Sequence, residues 1–179
     1  MRKLKIFEIE RIDSEVFKKV NKLPVVVVLD NIRSAHNVGS FFRTCDAFRI
    51  AHVYLCGITA QPPSNEIRKT ALGATESVDW TYCDDTLDCI YKLKKAGYVV
   101  AGVEQVDKPI LLHNYTPDNS RPLALVFGNE VKGVQQSVLD ACDFAIEIPQ
   151  FGTKHSLNVS VSGGIVIWEV FKTLGFELV

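Results

Sequence analysis

The stretch Pro24-Val25-Val26-Val27-Val28-Leu29 constrains the fold more than any other part of the chain. A run of β-branched residues favours an extended strand, in which successive side chains point to opposite faces. A strand solvated on one face alternates apolar with polar residues. This one does not, so both of its faces must be covered, as in a parallel sheet clad by helices. Short apolar runs recur at 50–55, 98–103, 123–127 and 144–148, and between them lie helical patterns at 40–47, 66–72, 86–95, 135–141 and 157–174. The alternation predicts an α/β domain with a mostly parallel sheet and helices on both faces.

The chain has 179 residues, enough for one such domain and its core. Residues 1–23 read as an N-terminal extension with Ile9, Ile12, Val16 and Val20 at helical spacing and Asp13 or Ser14 available as a cap. The domain proper is expected over 24–179. No apolar run approaches the roughly 20 residues of a membrane span, and the N-terminus lacks a signal-peptide core, so a cytoplasmic protein with no membrane contact is expected. Five cysteines without a C-x-x-C pair suggest reduced, mostly buried thiols and no metal. The net charge of −1 is neutral on the question of an anionic partner, which needs only a local basic patch. There is no G-x-G-x-x-G and no G-x-x-x-x-G-K-[ST], so a nucleotide-like ligand would have to be held in some other way.

Three polar clusters fall after apolar runs, where open α/β sheets bind ligands. The first, after the opening strand, contains Arg33, Asn37, Gly39, Ser40 and Arg43. With a helix starting near Gly39, Ser40, Arg43 and Thr44 share one face; the plainer reading makes Asn37 an N-cap and Arg43 a solvated side chain. The second is Val126-Phe127-Gly128-Asn129-Glu130-Val131-Lys132-Gly133, in which Gly128 allows a close backbone approach or a positive φ and Glu130 projects from the strand end. A glycine turn followed by an acid is also common on any surface. The third runs from Ile148-Pro149 through Lys154-His155-Ser156-Leu157-Asn158 to Gly163-Gly164. Ser156 is placed to cap a helix whose apolar stripe is Leu157, Val161, Ile165, Trp168 and Phe171, as in any packed helix. The glycine pair is the exception, each costing about 1 kcal/mol against alanine in a helix interior, so another backbone lying close to this face is expected.

In this order, Asn37-Val38-Gly39 with Arg43, Phe127-Gly128-Asn129-Glu130 with Gly133, and Ile148-Pro149 with Ser156-Leu157-Asn158-Val159-Ser160 resemble the three motifs of the SpoU (TrmH) family of RNA ribose 2′-O-methyltransferases. Lys69-Thr70-Ala71-Leu72-Gly73-Ala74 resembles a stretch between the first two. The resemblance implies an α/β SPOUT fold with a deep C-terminal trefoil knot, a homodimer, and S-adenosylmethionine as methyl donor. It places Gly128, Ile148 and Leu157, with Val126 and Phe127 leading into the turn, around the cofactor. Asn37, Arg43, Glu130, Ser156 and Asn158 fall at the catalytic rim. An arginine guanidinium keeps its proton, so Arg43 is expected to bind the neighbouring phosphate and steady developing oxyanion charge, across the dimer, more than to act as a base. Arg33, Lys132 and Lys154 are the expected RNA contacts, with Arg2, Lys3 and Lys5 on the N-terminal arm. The short leader favours a compact tRNA loop over ribosomal RNA as substrate. The competing expectation is a knotted dimer that binds RNA or cofactor without catalysis.

Overall fold

The computed structural model describes residues 1–175, so the last positions of the expected 24–179 domain lie outside the described residues. In chain order the elements are α1 (Ser14–Lys19), β1 (Leu23–Asp30), α2 (Ala35–Ala47), β2 (Ile50–Cys56), α3 (Asn65–Ala71), α4 (Ala74–Ser77), β3 (Trp80–Cys83), α5 (Thr86–Lys95), β4 (Val99–Val103), β5 (Ile110–Leu111), β6 (Leu123–Phe127), α6 (Gln136–Ala141), β7 (Phe144–Glu147) and α7 (Val159–Leu174). The strands form one seven-stranded sheet in the order β3-β2-β1-β6-β4-β7-β5, with every recorded pairing parallel.

The valine run behaves as a doubly covered strand should. Val25, Val27 and Leu29 face a layer containing Phe41 and Phe42 of α2, Ile67 of α3 and Val166, Ile167 and Val170 of α7. Val26 and Val28 face the other layer, with Cys89, Ile90 and Leu93 of α5 and Val138 of α6. The two late strands are inserted among earlier ones: β6 lies between β1 and β4, and β7 between β4 and β5. The carboxyl ends of β1, β6, β4 and β7 therefore lie side by side, at the point where the chain reverses its direction across the sheet. Crevices at such points are where open parallel sheets take up ligands.

The N-terminal segment departs from the expected long amphipathic helix. Asp13 accepts the N–H of Val16 and caps a short α1, while Ile9 and Ile12 lie ahead of it. Only Phe17 of α1 is buried, beneath the ammonium group of Lys22, which lies 3.0 Å from the ring centroid and donates to the Phe17 carbonyl at 2.6 Å. Trp80–Cys83 also forms a strand that the sequence pattern passed over.

Helix α7 differs from expectation in its start and in its facing. Its cap is Asn158, whose Oδ1 accepts the N–H groups of Ser160 and Val161, and not Ser156. Its core face is Gly163, Val166, Ile167 and Val170, whereas Leu157, Val161, Ile165 and Trp168 of the anticipated packing stripe are 38–50% exposed. Gly163 has the close neighbour foreseen for the glycine pair, but that neighbour is a ring and not a backbone: a Cβ there would collide with the ring of Phe41, itself packed on Phe127 at 5.0 Å. Gly164 has open space beside it. Gly163→Val is expected to lower stability by about 1–3 kcal/mol through overpacking against Phe41, with Gly164→Ala neutral or mildly stabilising; urea unfolding of both variants measures the difference.

Candidate active site

The site is assembled from carboxylates at strand ends. Glu130, beyond the end of β6, accepts the backbone N–H groups of Arg33 and Ser34 and the side-chain amide of Asn37, each at 3.0 Å. Asn37 in turn accepts, on its Oδ1, the Nδ2–H of Asn158 at 3.1 Å and the hydroxyl of Ser160 at 3.4 Å. One continuous chain of hydrogen bonds thus joins the three polar clusters. Asn37 is free to make these bonds because Ser34 caps α2: the helix starts at Ala35, a turn earlier than the sequence pattern suggested.

Within the second cluster, Asn129 shapes the turn. Its Oδ1 accepts the N–H groups of Val131 and Lys132, its Nδ2 donates to the Asn31 carbonyl, and its backbone pairs with Gly133. A Cβ on Gly128 would strike the backbone of Gly133 and Val134, so glycine is required there for the turn to fold back closely. Glu104, just past β4, accepts the N–H groups of Gln105 and Val134. The side chain of Gln105 reaches the His155 carbonyl at 3.1 Å, tying the end of β4 to the third cluster.

These loops enclose a cavity of about 690 Å³. Phe127, Ile146, Ile148, Leu157 and Leu139 supply apolar wall, and Glu104, Glu130 and Glu147 supply acid against Lys132 and His155. Of the expected cofactor residues, Gly128, Ile148, Leu157 and Phe127 line the cavity. Val126 does not: a strand alternates its faces, and Val126 packs into the opposite layer with α5 and α6. Glu130, Ser156 and Asn158 line it, while Asn37 joins through its hydrogen bonds. Arg43 is exposed on α2, makes no ion pair or hydrogen bond among the described residues, and does not line the cavity. Lys132 sits in the cavity wall; Arg33 and Lys154 are exposed outside it.

Sequence reasoning missed Asp30, Glu104 and Gln105. Asp30 is wholly buried at the end of β1, where it accepts from the side chains of Asn31, Thr86 and Gln135 and from the Gln135 backbone. For the two acids the signal was present, since Asp30 and Glu104 directly follow the apolar runs that end at Leu29 and Val103, the same kind of place as Glu130.

The SpoU rRNA Methylase family matches residues 24–168 of the chain. The 23S rRNA (guanosine-2′-O-)-methyltransferase RlmB of Neisseria meningitidis is 32% identical over 155 residues, 87% of this chain and 61% of that protein. The crystal structure of the A. aeolicus TrmH/SpoU tRNA modifying enzyme superposes with a TM-score of 0.77 at 27% identity, over 89% of this chain and 79% of that one. The AdoMet-bound rRNA methyltransferase from Sinorhizobium meliloti superposes with a TM-score of 0.76 at 26% identity, over 86% of this chain and 60% of that one. The chain spans about three-fifths of the length of the curated relatives it matches.

Burial pushes the Glu130 carboxyl upward, but the N–H donors of Arg33, Asn37 and Ser34, with its own backbone, outweigh that and hold it below its ordinary value of 4.5. A carboxylate whose folded value is depressed adds stability above its unfolded value and loses that stability as pH falls through the folded one. Glu130→Gln is therefore expected to lower stability at neutral pH by about 1 kcal/mol, a modest value because the carboxylate is exposed, and to converge on the wild type as pH falls below 4.5 through the folded value; paired urea titrations across that range check both ends.

Proposed function

Because the chain belongs to the SpoU rRNA Methylase family, we propose that it transfers the methyl group of S-adenosylmethionine to a ribose 2′-hydroxyl of RNA in the cytoplasm, with tRNA favoured over ribosomal RNA. The observation that carries this reading is the charge of the cavity. Its apolar wall suits a flat base, and its excess of carboxylates suits a cationic ligand without phosphates. The bound donor supplies an electrophilic methyl group on a sulfonium. Gly128, having no side chain, lets the turn fold back closely along the cavity, and Phe127, Ile148 and Leu157 exclude water from the base. Glu130 is read as a positioning residue: its oxygens are engaged by N–H donors and its proton affinity is lowered, so it is a weak base. Ser156, Asn158 and Asn37 form the polar rim that receives the ribose, and Arg33, Lys132 and Lys154 are the nearby cations available to RNA phosphates.

Arg43 is assigned to the adjacent phosphate and to the developing 2′-oxyanion, in the site of a second subunit. Two features support this. Arg43 is unpaired among the described residues yet does not line the cavity of its own chain. The outward face of α7, with Val161, Ile165 and Trp168, is an apolar stripe that a second copy would cover. The same reading includes the deep knot, in keeping with strands β6 and β7 being inserted between earlier ones.

Labelled S-adenosylmethionine incubated with the protein and either tRNA or ribosomal RNA is expected to label tRNA, in 2′-O-methyl nucleotides. Absence of label from every RNA would leave a non-catalytic binding module. Arg43→Ala is expected to reduce turnover by at least a hundredfold while cofactor affinity, measured by calorimetry, changes less than twofold. Trp168→Glu is expected to yield monomers in sedimentation experiments and to lose turnover with them, because a monomer lacks the second Arg43.

A further inference from the structure

Away from the cavity, three of the five cysteines converge. Cys56 closes β2, Cys83 closes the neighbouring β3, and Cys89 lies on α5 above them; their Sγ atoms all lie within 4.8 Å of one another. No motif announces this, since the three positions are brought together by the register that pairs Cys56 with Cys83 and by the packing of α5. A tetrahedral thiolate site with metal–sulfur bonds of about 2.3 Å needs sulfurs about 3.8 Å apart, and a trigonal one about 4.0 Å. Small side-chain rotations close the remaining gap.

We propose that Cys56, Cys83 and Cys89 form a three-thiolate site for a zinc-class divalent cation, with the fourth position open to solvent. Cys56 and Cys89 are buried and Cys83 is half-buried, and Cys83 and Cys89 line a cavity of about 390 Å³ through which an ion would reach the three sulfurs. Asp84, Asp85 and Asp88 ring that cavity and draw cations toward it. Three thiolates and a divalent cation leave one negative charge, and Lys92 lies close enough to Cys83 and Cys89 to act on both. All-sulfur donors select soft ions over magnesium or calcium. A metal takes the thiolate form of cysteine, so loading releases protons. The bound ion would staple the sheet edge at β3 to α5.

The test is a titration of the reduced, metal-free chain with Cd(II), whose thiolate charge-transfer absorption reports sulfur ligation. Saturation at one ion per chain is expected. Cys83→Ser should lose the band and at least tenfold in affinity, whereas Cys142→Ser, whose thiol donates to the Val138 carbonyl elsewhere, should keep both. Zn(II) should raise the thermal midpoint of the wild type and leave that of Cys83→Ser unchanged. A wild type with no band at one equivalent, or a Cys83→Ser variant with the full band, overturns the site; should that variant not fold, the wild-type titration alone decides.

Discussion

The placement of β6 between β1 and β4 is the constraint on which the rest depends. Its register sets Phe127 against Leu29 on one side and Val103 on the other. Whatever follows those three residues must therefore emerge together at one edge of the sheet. Asp30, Gly128 and Glu104 are those next residues: the segments after Gly128 and Glu104 line the cavity, and the loop after Asp30 is bonded to them through Glu130 and Asn129. The pairing is remote in sequence, with α2 to α5 formed between β1 and β6. Such non-local contacts carry a loop-closure cost, and the site exists only where these distant strands have paired.

Emergence at one edge does not by itself order the loops. That task falls to carboxylates accepting backbone and amide N–H groups. Glu130 binds the start of the first loop, Glu104 binds the return of the second at Val134, and Asp30 binds Gln135 at the entrance to α6. Hydrogen bonds to a charged acceptor are stronger than neutral ones, and a loop fixed by two or three of them has lost most of its alternatives. Two of these carboxylates, Glu104 and Glu130, also line the cavity, beside Glu147, so side chains that order the loops make its wall acidic while the chain as a whole is nearly neutral.

Much of this was legible in the residues. Continuous apolar runs identified the parallel sheet, because only a strand buried on both faces can omit polar residues. The strand Leu123–Phe127 and the helix Thr86–Lys95 coincide with their sequence patterns, each bounded by turn or capping residues. Less legible were features decided by tertiary contact. Trp80–Cys83 is a short strand whose pattern gives no periodic signal, and its pairing with β2 defines it. The site residues were identified as separate clusters, yet the bonds joining Glu130, Asn37 and Asn158 depend on capping choices. Ser34 and Asn158 won those positions from Asn37 and Ser156, and the helix starts moved accordingly. Convergence of Cys56, Cys83 and Cys89 was invisible for the same reason, since it follows from register.

Helix α7 shows how one sequence can satisfy two apolar faces. A helix with Val161, Ile165 and Trp168 on one side and Val166, Ile167 and Val170 on another carries more apolar surface than a single core can bury. Here the choice is made by Phe41. Its ring needs the space that only Gly163 leaves, so the glycine side turns inward and the larger side chains turn out. Trp168 does not stand alone there, because Phe48 at the end of α2 packs against it at 5.7 Å and extends the apolar surface onto the helix that carries Arg43. Whatever covers α7 must therefore also approach α2. Arg43, which makes no ion pair or hydrogen bond among the described residues, is carried on that same helix, so in the proposed dimer the copy that covers α7 would also meet the element bearing Arg43.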